Sequence, residues 1–272
     1  MPLMEDLIWF VLALSVAGSV AGFLAGLFGI GGGAILVPVF YQVFGLVGVP
    51  DDVRMHLAIG TSLAVIVPTS IRSFMSHRKR GAADVDLLKE WMIAVPAGVI
   101  IASLVAASVS SGQLRFIFAV IAVIVGLRML LNRESWRIGN DLPPNPWRAV
   151  VGASIGALSA LMGIGGGVLN NTFMTLFSRP VHQAVATSAG VGVLISVPGL
   201  FGFVWAGWGL SGLPPMSTGF INWAAAGLTI PITLLVAPLG VGLAHALNKR
   251  QLEIAFGVFI LMVALRFFVS LA

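Results

Sequence analysis

The segment LFGIGGG at Leu27–Gly33 returns as LMGIGGG at Leu161–Gly167, and the reading of this pair decides the fold. Working outward, Gly18 and Gly22 precede the first copy as Gly152 and Gly156 precede the second, at one constant offset. Downstream, HLAIGTS (His56–Ser62) is matched by HQAVATS (His182–Ser188). The last pair is LRFIFAVIAVIVGLRMLL (Leu114–Leu131) and LEIAFGVFILMVALRFFV (Leu252–Val269), which sets Arg128 opposite Arg266. Matched blocks in one order are the mark of an internal duplication.

The medium in which both copies fold follows from composition. Of 272 residues, 58% are hydrophobic and 9% charged, against roughly 25% charged in a soluble domain. Mean hydropathy is +1.03. No Asp, Glu, Lys or Arg occurs between Leu7 and Pro50, or between Pro180 and Asn248. About 18 apolar residues already make a membrane span, so each run holds several. The chain reads as a polytopic membrane protein without a soluble domain, its opening MPLMEDLIWF as the first span and not a secretory signal. The net charge of +5 comes from residues scattered through short loops, which argues against nucleic acid. Cysteine is absent, excluding a disulfide framework or thiolate chemistry.

Gly, Pro and charge punctuate ten helical segments, near 6–28, 34–48, 56–75, 90–109, 113–132, 148–162, 168–178, 182–206, 219–246 and 251–271. Helix is the open-ended backbone that satisfies itself in lipid, so the expected class is all-α, with glycine-broken short helices. The basic residues Arg78, Lys79, Arg80, Lys89, Arg133, Arg137, Arg148, Arg179, Lys249 and Arg250 fall on one side if both termini lie outside. The other side keeps Arg54, beside Asp51 and Asp52, with Arg115 and the uncharged Trp205–Gly219 loop. Trp9, Trp205, Trp208 and Trp223 would form one interfacial belt, and Trp91, Trp136 and Trp147 the other.

Five segments per half is an odd number, so two such halves are expected to be inverted: 1–132 as the first membrane repeat, 133–147 as a cytoplasmic linker, 148–272 as the second. Inverted repeats with a site at their interface characterise secondary transporters. The segments 34–48 and 168–178 reach only about 22 and 16 Å at 1.5 Å per residue, short of the roughly 30 Å hydrocarbon core. Their glycine turns must therefore sink into the membrane, where irregular backbone lines a cavity or is buried in protein. Each following helix would start there with free N–H groups and a positive dipole end, which suits an anion.

The candidate binding set is Gly29, Gly31, Gly32, Gly33, Gly163, Gly165, Gly166 and Gly167, joined by Thr61, Ser62, Thr187, Ser188, Asn170 and Asn171. A hinge role for the turns and carbonyl-bonded hydroxyls are the plain alternatives. Gly18, Gly22, Gly26, Gly152 and Gly156 are small-residue helix contacts. His56, His182 and Arg72 are candidates for proton-sensitive or anion contact, with capping and snorkelling as the alternatives; Arg128 and Arg266 are expected to snorkel. No Asp or Glu falls in the middle of a span, so no coupling carboxylate is visible. An anion leaving an inside-negative cell gains about 2.3 kcal/mol per charge per 100 mV, so potential alone can drive export. No metal-ligand cluster or nucleophile–base pair lies inside the spans: neither metal, cofactor nor enzymatic activity is expected.

GLFGIGGGAILVP at Gly26–Pro38 and ALMGIGGGVLNN at Ala160–Asn171, each followed by H-x-A-x-x-T-S, resemble the sulfite exporter TauE/SafE family over essentially the whole chain. The closing blocks with Leu127–Arg128 and Leu265–Arg266 fit that pattern. The resemblance implies a multi-pass permease of the bacterial inner membrane that exports a small anion such as sulfite, sulfoacetate or a related organosulfonate. The related thiosulfate permeases depend on cysteines, which this chain lacks. A passive anion channel and a carrier of small carboxylates are the rival readings, and homo-oligomerisation stays open.

Overall fold

A computed structural model describes residues 11, 12, 14–16, 18–24, 33–131, 137–246 and 248–271. The expectations for Gly29, Gly31, Gly32, Gly26, Trp9, Arg133 and Trp136 lie outside these residues. The helical residues within Leu14–Leu24 form α1. There follow α2 (Gly33–Leu46), α3 (Asp51–Lys79), α4 (Val85–Ser108), α5 (Ser111–Leu131), α6 (Trp147–Leu161), α7 (Gly167–Leu176), α8 (Val181–Ala206), α9 (Trp223–Ala246) and α10 (Lys249–Val269). Six of them (α3, α4, α5, α8, α9 and α10) are long and apolar enough to cross a membrane. The protein is an all-α, multi-pass membrane protein.

The ends of the elements have local causes. Helix α3 starts behind Pro50 with Asp51 and Asp52 in its first turn and finishes on His77, Arg78 and Lys79; acids at the positive end and bases at the negative end both favour the helix. It therefore runs beyond the expected 56–75. Asp84 caps α4 by accepting from the Leu87 N–H at 3.0 Å, and Asn248 with Gln251 forms a capping box on α10. The segment before α9 holds a small antiparallel hairpin, β1 (Ser217–Thr218) on β2 (Ile221–Asn222), so α9 begins four residues later than expected. The 14 residues of α2 and 10 of α7 amount to about 21 and 15 Å, the two short elements the glycine turns require.

At the centre, α3 and α8 cross antiparallel: Gly60 packs beside Phe203, Gly192 beside Ser70, and Gly190 beside Phe74. Helices α5 and α10 also run antiparallel, with Gly126 on Leu261 and Gly112 near Leu271. These are the duplicated blocks of the sequence, each lying against its own copy. The glycine faces pack differently. Gly152 and Gly156 of α6 lie on Trp91 and the Val95 backbone of α4, the two helices running parallel. Gly18 and Gly22 of α1 lie likewise on Ile232 and the Thr233 backbone of α9. Equivalent glycines thus serve equivalent close approaches. Trp91 departs from expectation: it is fully buried, its indole N–H donating to Arg148 O at 3.0 Å, so it fills the α4–α6 seam and does not face an interface. Trp147, Trp205, Trp208 and Trp223 are exposed.

The loops gather into two ends. One holds Arg148 on Glu90 at 2.8 Å, Arg179 on Asp141 at 2.7 Å, and Arg250 against the carbonyl of Met129. The opposite end holds Asp51, Arg54, Arg115 and the 207–222 segment, where the Phe220 N–H donates to Phe203 O.

Candidate functional site

The turn between α6 and α7 lies at the heart of this packing. Every residue from Met162 to Val168 is buried. Gly163 and Gly166 have φ of +61° and +71°, in the left-handed region that side-chain-bearing residues seldom adopt. Gly163 and Ile164 are held by bonds from their N–H groups to Ala160 O (3.0 Å) and Ser159 O (2.9 Å). Gly33, which opens α2, is pressed against this turn: a Cβ there would stand 2.6 Å from Ile164 Cα and 2.8 Å from Gly163 O. The start of α2 and the turn before α7 therefore meet, as a shared central site requires.

Past the left-handed Gly166, α7 begins without a side-chain cap. Among the described residues no acceptor is bonded to the N–H of Gly165, Gly166, Gly167 or Val168; the first amide so satisfied is Asn170, on Gly166 O at 2.8 Å. Buried N–H groups are normally paired, so this helix start offers donors where the dipole also favours negative charge. Asn170, wholly buried, stands in the same first turn. Its Nδ2 donates to Ser188 Oγ and Ser188 donates to Asn171 Oδ1, both at 2.6 Å, while Asn170 Oδ1 has no partner among the described residues. Turning both amides over reverses the two bonds through Ser188 and sets an N–H in place of that free oxygen. The triad can thus present either an acceptor or a donor.

The remaining candidates divide. Ser62 donates to Gly163 O at 2.8 Å and ties α3 to the turn. Thr61 and Thr187 do something the repeats alone do not announce. Thr61 Oγ1 accepts the N–H of Asn222 at 3.1 Å, and Thr187 Oγ1 accepts the N–H of Asp84 at 2.9 Å. Asn222 and Asp84 are the residues whose side chains receive the first-turn N–H groups of α9 and α4, from Ala225 and Leu87. Each threonine therefore anchors the start of a helix belonging to the other half. His56 is buried, its Nε2 at 3.0 Å from Ala106 O and 3.1 Å from Val109 O, and its ring stacked on Phe220; it ties α3 to the end of α4. His182 and Arg72 are exposed and make no polar contact with the described residues. Arg128 is half-buried against Thr172 Oγ1, and Arg266 reaches Gln42 Oε1 at 2.6 Å.

Sequence reasoning missed three hydroxyls around the turn. Ser159 Oγ would lie 3.6 Å from a Cβ at Gly166, and Ser70 Oγ 3.7 Å from one at Gly165. Ser159 and Ser196 are fully buried with unpartnered Oγ atoms. Ser70 and Ser196 stand at the same distance beyond the two H-x-A-x-x-T-S blocks, a signal visible on extending the alignment. Ile66, Val191 and Ile195 close over the glycines.

Similarity to known proteins agrees with this architecture. The family model described as sulfite exporter TauE/SafE matches residues 14–267. A probable membrane transporter protein of Haemophilus influenzae is 32% identical, covering 96% of this chain and 99% of that protein. One of Methanocaldococcus jannaschii is 28% identical over 89% of each. YunE of Bacillus subtilis, also a probable membrane transporter protein, is 26% identical over 92% and 94%. No solved structure matches the chain. Matched over almost its full length, with Gly33 pressed against the Gly163–Gly167 turn at the centre of the fold, the chain belongs to the sulfite exporter TauE/SafE family of membrane transporters.

Proposed function

We propose that this protein is a permease that exports a small anion (sulfite, sulfoacetate or a related organosulfonate) across a bacterial inner membrane by alternating access. Its two halves, 1–132 and 148–272, are read as inverted repeats joined by a cytoplasmic linker; the antiparallel crossing of α3 with α8 and of α5 with α10 supports that reading. The end bearing Arg148, Arg179 and Arg250 would face the cytoplasm and both termini the periplasm.

One observation carries the functional reading: the buried start of α7, where N–H groups without an acceptor among the described residues lie beside the Asn170–Ser188–Asn171 triad and Gly33. Such a place is adverse for a cation and favourable for an oxyanion. Gly165, Gly166, Gly167, Asn170 and Ser188 are the assigned contacts, with Gly29, Gly31 and Gly32 completing the site from the other half. Thr61 and Thr187 support it through the helix starts they hold. The conformation described, with Ile66, Val191 and Ile195 packed on the glycines, corresponds to a closed site, and uncovering it to either side is the transport step.

The test is flux in proteoliposomes, with sulfite and sulfoacetate as cargo and the potential clamped at zero or set inside-negative. Saturable efflux that rises with the potential is expected. Flux that never saturates would favour a passive channel. Absence of flux for both anions from folded protein would refute the sulfur-anion assignment and turn the search to carboxylates.

A further inference from the structure

A second polar cavity, of about 370 Å³, opens where the ends of α2, α3, α5 and α10 meet, at the end opposite Arg148 and Arg179. Three guanidinium groups line it, those of Arg54, Arg115 and Arg266, against the single carboxylate of Asp51. That carboxylate is fully engaged. Its Oδ2 takes Arg115 at 2.6 Å, and its Oδ1 takes the Tyr41 hydroxyl at 2.8 Å and Arg54 at 3.3 Å. Arg115 Nη1 also donates to Tyr41 Oη at 2.7 Å and reaches Ser270 O and Oγ at 3.3 Å, yet among the described residues its buried Nε has no partner. Arg54 and Arg115 both lie over the Tyr41 ring, 5.3 and 5.5 Å from its centre, which fixes their planes. Arg266 meets only the neutral amide oxygen of Gln42. The cavity thus carries two positive charges more than its own acid neutralises, and Arg54 is held in place by giving Nε and Nη2 to Val49 O at 3.1 and 2.8 Å.

The duplication makes this charge informative. Arg266 corresponds to Arg128, whose partner is Thr172. Arg115 corresponds to Glu253, which lies 3.7 Å from Arg250. The matching place in the other half therefore has an acid where this one has a buried arginine. Snorkelling accounts for a lone Arg266, but not for a nine-tenths-buried Arg115 sharing its cavity.

We propose that this cavity is a second anion site, taking a small inorganic oxyanion or a sulfonate head group between Arg54, Arg115 and Arg266, on the face opposite the basic loops. In a cycle of export it receives the anion released from the centre. Only the choice of sulfur oxyanions as ligands, and that place in the cycle, rest on the function proposed above.

The full-length protein in lipid nanodiscs is treated with phenylglyoxal, and modification of individual arginines is followed by peptide mass spectrometry. Inorganic sulfate is the probe, against chloride at equal ionic strength. Sulfate is expected to slow modification of Arg54 and Arg266 several-fold while leaving the exposed Arg72 unchanged. In Arg266→Gln, which alters an exposed side chain, protection of Arg54 should be lost with the unfolding midpoint preserved; Arg266→Lys should retain part of it. Equal rates in sulfate and chloride would overturn the proposal, as would equal protection of Arg72 or protection of Arg54 that survives Arg266→Gln. Protection found without sulfite or sulfoacetate flux would uphold this site and refute only the cargo. Flux without protection would refute this site alone.

Discussion

Asn170→Asp puts a negative charge into the proposed anion site while keeping its shape. The change is isosteric at a wholly buried position. Burying an ionised carboxylate costs stability, offset only in part by the helix dipole at the start of α7, by about 0.3–1 kcal/mol, so the unfolding midpoint should fall at alkaline pH and recover at acidic pH. The Ser188 bonds survive: Ser188 donates to the new carboxylate and Asn171, turned over, donates to Ser188. A transported anion meets the opposite situation. Two like charges about 4 Å apart at an effective dielectric near 20 repel by about 4 kcal/mol, and at about 8 Å by about 2 kcal/mol. Those energies correspond to roughly a thousandfold and thirtyfold weaker binding. The assay is initial-rate efflux of a sulfonate at alkaline and acidic pH, with KM and maximal rate separated and folding checked by thermal unfolding. At alkaline pH KM should rise by at least about thirtyfold, and acidification, which returns the side chain to a neutral isostere, should restore flux. A folded variant with unchanged KM at alkaline pH would refute the idea that anions pass the start of α7.

Three further substitutions test the scaffold. A methyl group added by Gly98→Ala would collide with the carbonyl oxygen of Ala153, forcing α4 and α6 apart; a loss of about 1–3 kcal/mol is expected, read as a lower unfolding midpoint, and an unchanged midpoint would contradict the packing. Thr61→Val leaves the deeply buried Asn222 N–H without its acceptor, at a cost of about 1–3 kcal/mol. Thr187→Val should cost less, because Asp84 is only half-buried and water can replace the hydroxyl; equal losses in the two unfolding curves would argue against threonines as helix anchors.

Much of this architecture was legible because membrane helices are punctuated by the residues lipid excludes. Gly33, Trp147 and Gly167 mark helix starts that the Gly–Pro–charge pattern placed within a residue. Where Asp51, Asp52 and Arg54 suggested a loop, they form the first turn of α3: the same acids serve either role, and only the neighbouring carbonyls and dipole decide. The hairpin at Ser217–Asn222 has two-residue strands, too short to show a period. In the candidate site, the repeat pointed to positions without revealing their partners. Thr61 and Thr187 read as binding hydroxyls or as hydroxyls bonded within their own helix, yet each is bound to a backbone group more than 100 residues away. His56 and His182 read as a pair, yet one is sealed under Phe220 and the other exposed. Duplication preserves the backbone more faithfully than the surroundings of a side chain. Arg115, assigned to an outer loop, is buried because Tyr41 and Asp51, both remote in sequence, neutralise and stack on it.

The packing also bears on which parts can move. Helix α4 lies against α6 and α8, and α9 against α1 and α3, so each half has exchanged its fourth helix with the other. The threonine anchors follow the same exchange, Thr187 holding α4 and Thr61 holding α9. On the proposed alternating access, one rocking body would be α4 with α6, α7 and α8, facing α1, α2, α3 and α9 across the α3–α8 crossing. The chain has no cysteine of its own, so paired cysteines can test this directly. Ser70 and Gly192 face each other across the crossing, with Ser70 Cβ 3.2 Å from a Cβ built at Gly192; Ser103 and Gly202 do so within one body, at 2.6 Å. Either pair needs to open by only about 1 Å for a disulfide. Oxidising the Ser70→Cys, Gly192→Cys protein should stop flux, and reduction should restore it. Oxidising the Ser103→Cys, Gly202→Cys protein should leave flux intact, since that bond joins helices that move together. If both cross-links stop flux, the moving bodies are the sequence halves themselves, since each joins a helix of 1–132 to α8, and the exchange of α4 and α9 has no mechanical meaning.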